Sequence, residues 1–170
     1  QDVGEQADDL QSARAFYGQA LALDKNHFLS NLGLGRLYVR QKNASYGRQA
    51  ITYLELAEKI APPERHAEAL GLLAQAYLNA DNRVRAMQTA QEARREDNNN
   101  FDAWDVIMSV LIETGRFDEA LTESLRYLDL VGRLVEAQRG QRRALLLLDK
   151  VYQWRFQALY QYHRSLYEQL

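Results

Sequence analysis

Residues 101–132 and 67–100 are two copies of one pattern. Slid back by 34 positions, FDAWDVIMSVLIETGRFDEALTESLRYLDLVG falls on AEALGLLAQAYLNADNRVRAMQTAQEARREDNNN without a gap. Trp104, Ile107, Met108 and Leu111 lie at i, i+3, i+4 and i+7, one face of a helix, and they match Leu70, Leu73, Ala74 and Tyr77. Gly115 breaks the run, Asp118 and Glu119 open a second helix, and Ala120 matches Ala86. Each unit is therefore a helical hairpin with two apolar faces. It can cover only one of them itself, so it needs a neighbour on each side, and self-similarity at this period requires a stacked array.

An earlier copy, 28–63, aligns after a small insertion. Leu34, Gly35 and Tyr38 carry the first-helix pattern, and Ala50, Leu54 and Ala57 carry the second. Between them QKNASYG, residues 41–47, is about three residues longer than the matching turns, which predicts a longer loop there. Further back, Ala13, Tyr17 and Ala20 repeat the second-helix spacing alone, over about 8–24. This reads as a partial repeat in a fragment of a longer chain.

The pattern resembles the tetratricopeptide repeat (TPR), whose unit reads W-x2-L-G-x2-Y, then A-x3-F, then A and a closing Pro. Here it runs Trp104-x2-Ile107-Met108-x2-Leu111 with Ala120-x3-Ser124, and Leu70-x2-Leu73-Ala74-x2-Tyr77 with Ala86-x3-Ala90-x2-Ala93. The earlier copies are Leu34-Gly35-x2-Tyr38 with Ala50-x3-Leu54-x2-Ala57-x4-Pro62, and Ala13-x3-Tyr17-x2-Ala20. Met108, Ser124, Asn98 and Gly132 depart from the family pattern. The resemblance implies an all-α fold: a TPR-like α-α superhelix, a right-handed solenoid of helical hairpins, with a C-terminal capping helix. It places the array in 1–132 and leaves 133–170 as a long helix, bent near Gly140, that caps or interacts.

In that tail Leu145, Leu148, Tyr152, Phe156, Leu159, His163, Leu166 and Leu170 form one stripe, expected to cover the open end of the array. Trp154, Phe156, Tyr160, Tyr162 and Tyr167 are a surplus of aromatic residues, the candidate surface for a partner or a homodimer. The tail is also basic, with seven Lys/Arg against three Asp/Glu, where the rest of the chain has 14 against 20. Four of those cations, Arg133, Arg139, Arg142 and Arg143, have no aromatic platform beside them, which disfavours a nucleic-acid role.

Chemistry is not legible. With no cysteine there is no disulfide and no thiolate metal site. His27, His66 and His163 share no face with a second ligand at metal spacing. Gly33 and Gly35 follow no strand and lead to no Gly-Lys-Ser/Thr, so they read as helix packing positions. The expectation is no enzyme, no cofactor, no metal and no small-molecule substrate. No apolar run reaches the ~20 residues of a membrane span, and the composition suits cytoplasm or periplasm equally.

The resemblance instead implies a protein-interaction scaffold, with the first helices lining a concave groove for a peptide or partner domain. Carried over by position, it nominates Leu29, Leu32, Arg36, Val39 and Arg40, then Glu68, Gly71, Gln75, Leu78 and Asn79, then Asp102, Asp105, Ser109, Ile112 and Glu113. The groove contacts expected from these are Arg36, Val39, Arg40, Gln75, Leu78, Asn79, Asp102, Asp105, Ser109 and Glu113. Cations at one end, amides in the middle and acids at the other would orient a ligand by polarity. The chaperone-tail clamp of some family members would fall on Leu32, Arg36, Leu72, Asp102 and Val106. Only Arg36 suits it, and Asp102 would repel a carboxylate. The alternative is an assembly module that self-associates through the aromatic C-terminal helix.

Overall fold

The computed structural model describes the backbone of residues 2–137 and 142–168 and the side chains of 11–133 and 146–168. These residues form eight α-helices and no strand: α1 (Asp2–Leu23), α2 (Phe28–Val39), α3 (Ala44–Ile60), α4 (Pro63–Asn79), α5 (Arg83–Glu96), α6 (Phe101–Glu113), α7 (Phe117–Ala137) and α8 (Arg142–Tyr167). The all-α class expected from the repeat is the class observed. The chain packs as two units, residues 1–106 and 107–170, with the boundary inside α6.

In the first unit α1 packs on α2, α2 on α3, α3 on α4 and α4 on α5, while α2 also touches α4. The apolar seams read from the repeat are the buried ones: Leu34 and Tyr38, then Leu70, Leu73, Ala74 and Tyr77. Ala50, Ala57, Ala86, Ala90 and Ala93 are fully buried, because helices can approach this closely only where the side chain ends at Cβ. Gly33 and Gly35 serve the same purpose. A Cβ at Gly33 would sit 2.4 Å from the Tyr17 ring, and one at Gly35 would sit 2.3 Å from Leu54. Ala13, Tyr17 and Ala20 of α1 are only half-buried, and Phe16 and Leu23 are exposed.

The hairpin turns share one device. Lys42, Asp81 and Gly115 take positive φ (49°, 64° and 72°), which turns the chain out of the first helix. Asn82 N–H then returns to Tyr77 O (2.9 Å), and Arg116 N–H returns to Leu111 O (2.8 Å). Asn43 and Asn82 cap the next helices by accepting from Tyr46 N–H (3.0 Å) and Arg85 N–H (3.2 Å).

The insertion at 41–47 is not a longer loop. Four residues separate α2 from α3, against three between α4 and α5, and the rest of the insertion extends α3 at its start. Gly47 makes this possible. A Cβ there would lie 2.8 Å from Ala80 N, so the added turn fits against the α4–α5 connection only without one.

In the second unit Ile107, Met108 and Leu111 of α6 are buried, as are Ala120, Ser124, Tyr127 and Val131 of α7. Ser124, where the family pattern has an aromatic, satisfies its hydroxyl on Leu121 O at 2.7 Å. Helix α7 runs on through Gly132 to Ala137, past the expected end of the array, and α8 packs on α7. Gly140 and the side chains of Arg139, Arg142, Arg143, Leu145 and Leu170 lie outside the described residues.

The stripe expected to cover the array is not the packed one. Val151, Trp154 and Ala158 are buried, with the Trp154 ring 5.6 Å from Tyr127, whereas Tyr152, Phe156, Leu159 and Leu166 are exposed. Close contact with α7 selects small side chains, and Val151 and Ala158 supply them.

Candidate functional site

Helices α2, α4 and the first turn of α6 present the residues nominated for partner binding within the first unit. The structure links them across the helices. Arg36 on α2 forms an ion pair with Glu68 on α4, and Arg65 holds the other oxygen of that carboxylate at 2.8 Å through Nε. Glu68 therefore sits between two guanidiniums, and all three side chains keep about a third or more of their surface in water. Two turns on, Gln75 Nε2 donates to Asp102 Oδ1 on α6 at 3.0 Å. Asn79 Nδ2 donates to Val39 O at 2.8 Å, tying the end of α4 to the end of α2. The middle of this face is thus a polar ladder, with donors and acceptors already pointed at one another.

Several nominated residues belong elsewhere. Leu32, Val39 and Ile112 are buried, so they pack the core, and what Val39 offers is its carbonyl to Asn79. Gly71 is a packing position, because a Cβ there would meet Asn100 Oδ1 at 2.5 Å. Asn100 caps α6 by accepting from Ala103 N–H (3.0 Å) and donates to Ala67 O (2.5 Å). No local signal marks Gly71 for this role, since its partner lies 29 positions away. Sequence reasoning also missed Arg65, which lies on α4 beside Glu68 and also covers the Phe28 ring at 5.1 Å.

Leu29 and Arg40 are exposed, and Leu78, Asp102 and Asp105 are half-buried. Together with Arg36, Arg65, Glu68 and Gln75 they form the accessible part of the face. Ser109, half-buried, and Glu113, exposed, belong to the second unit. Trp154 is a core residue of the α7–α8 pair, and Tyr162 is half-buried. Of the proposed C-terminal surface, Phe156, Tyr160 and Tyr167 are exposed. Arg133 forms an ion pair with Asp129 one turn back on α7.

His66 is bound into the scaffold. Its Nδ1 lies 2.8 Å from Glu96 Oε2 on α5, and its Nε2 lies 3.2 Å from Glu58 Oε1 on α3. The hydrogen bond to Glu96 raises its pKa above the ordinary histidine value, against a smaller opposing effect of burial. Among the described residues no group of three His, Cys, Asp or Glu side chains is placed to hold a metal ion. No described helix is long and apolar enough to cross a membrane.

No family model and no curated protein matches this sequence. Solved structures do match. YrrB, described as a TPR protein with an unusual peptide-binding site, superposes with a TM-score of 0.58 at 22% identity, over 94% of this chain and 86% of its own. MamA superposes with a TM-score of 0.59 at 21% identity, over 99% of this chain and 93% of its own. Identity this low speaks for architecture, and with the repeat pattern and the helical hairpins on the same footing, the chain has the tetratricopeptide-repeat fold.

Proposed function

We propose that this chain is a non-catalytic protein-interaction module that holds a peptide or partner segment on the face formed by α2, α4 and the first turn of α6. The observation that carries this is the row of half-exposed polar side chains Arg36, Arg65, Glu68, Gln75 and Asp102, crossing three helices with exposed Leu29 beside it. Side chains fixed by one another lose little entropy when a ligand arrives, so the face is preorganised for binding. Arg36, Arg65 and Arg40 lie toward α2, and Asp102 and Asp105 lie on α6. A bound segment would therefore set its acidic part toward α2 and its basic part toward α6. The likeness to YrrB, a peptide binder by its own description, supports the same reading.

Panning a random-peptide display library on the chain tests it. The chain should enrich peptides that are acidic at one end and basic at the other. Arg40→Glu combined with Arg65→Gln should lose them while its helical melt stays close to that of the parent chain. Equal enrichment by the double variant would remove this face as the binding site.

A further inference from the structure

Helix α8 carries two apolar faces, and α7 covers one of them. Val151, Trp154 and Ala158 face α7 and are buried. Tyr152, Phe156, Leu159, His163 and Leu166 follow one another in steps of four, three, four and three, and the first two are 54% and 72% exposed. That alternation averages 3.5 residues, the spacing with which a helix keeps a single seam against a second helix. The rings of Tyr152, Phe156, Tyr160 and Tyr167 together leave on the order of 500 Å² in water, given the 150–250 Å² each can bury. A stable dimer buries ~800 Å² per partner, and Leu159, Leu166 and the glutamines beside the seam make up the difference.

The charges on this face fit a second copy of the same chain. The centre of the seam has no acid, and Gln153 and Gln157, which both donate and accept, flank it. Asp149, which accepts from Gln153 Nε2 at 2.9 Å, stands near one end, and Arg164, paired with Glu168 at 2.8 Å, stands near the other. Parallel pairing would set Arg155, His163 and Arg164 against their own copies. Antiparallel pairing about a two-fold axis near residues 157–158 sets Phe156 against the second copy's Leu159 and Tyr152 against its His163. It also brings Asp149 of each copy within a turn of the other's Arg164.

We propose that the bare seam of α8 is a homodimer interface, in which two copies pair their α8 helices antiparallel about residues 157–158. A closed two-fold contact of this kind ends at the dimer. Sedimentation equilibrium of the 170-residue chain over a wide concentration range tests this. The expected result is a dimer for the parent chain and for Phe16→Glu, whose exposed ring lies on α1, with dissociation at least 100-fold weaker for Phe156→Glu. A monomer at every concentration, a species that keeps growing, or a dimer indifferent to Phe156→Glu would overturn the proposal.

Because the chain has no cysteine, single spin labels report the direction. In the antiparallel dimer labels on Gln157→Cys lie ~15 Å apart, while labels on Glu168→Cys lie ~30 Å apart, 21 residues of helix at 1.5 Å rise. Short distances at both positions would mean parallel helices and overturn it.

Discussion

Replacing Gly71 by alanine should destabilise this protein, against the usual sign for a glycine inside a helix. In a neutral setting the exchange helps by ~0.5–1 kcal/mol, because alanine loses less backbone freedom on folding. At Gly71 the new methyl would start 2.5 Å from Asn100 Oδ1 and 2.8 Å from its Nδ2, so Asn100 must leave. Its departure ends the cap on Ala103 N–H, costing ~1 kcal/mol, and the bond to Ala67 O, another ~0.5–1.5 kcal/mol. Asn100 is 9% exposed, so water does not replace these bonds freely, and crowding adds ~1–3 kcal/mol. The net expectation is a loss of ~3 kcal/mol. With a urea slope of ~1–3 kcal/mol/M, the unfolding midpoint should fall by about 1.5 M.

The double-mutant cycle identifies the cause. Asn100→Ala alone should cost ~1–2 kcal/mol through the lost cap and bond. In that background Gly71→Ala should become neutral or stabilising, since the obstructing amide is gone and only the backbone entropy gain remains. A Gly71→Ala variant that is more stable than the parent, or one whose cost is unchanged without Asn100, would refute this account of the close approach.

Trp104→Ala should cost ~3–5 kcal/mol in chemical unfolding, because the ring is 2% exposed, its Nε1–H donates to Asn98 O at 2.9 Å, and Arg94 lies 4.7 Å over it. Ala86→Leu and Ala120→Leu should each cost ~1–3 kcal/mol, since both positions are fully buried and a branched side chain must push its helix away. The stabilisation from His66 should be fully present below about pH 6.5 and fade as the pH rises through the raised folded value, because the folded state holds the proton more tightly than the unfolded chain. Melting temperatures of the parent chain and of His66→Gln, followed across that interval, should converge at the alkaline end, and parallel curves would refute the assignment.

The hairpins could be read from sequence because their signal lies inside each helix. Leu70, Leu73, Ala74 and Tyr77 share a face at helical spacing whatever lies beyond them, and all four are buried, although Ala69, Gly71, Leu72 and Ala76 on the other sides of α4 are buried too. The nominated binding face was legible only in part. Arg36 and Glu68 are 32 positions apart, Gln75 and Asp102 are 27 apart, and Asn79 reaches a carbonyl 40 positions back. Whether such a side chain waits for a ligand or holds the next helix depends on how far apart two hairpins sit. A periodicity measured within one helix carries no such distance.

Helix α8 shows the same division. Both of its apolar stripes repeat at helical spacing, and the larger side chains made the exposed one look like the core. By itself the sequence determined the helical hairpins, the apolar seam of each repeat, and the small residues at the crossings. Only the tertiary structure decided which polar residues bind one another, what the insertion at 41–47 becomes, and which face of α8 stays bare. Those outcomes depend on the fit between helices: Gly47 against Ala80, Gly71 against Asn100, and Val151 and Ala158 against α7.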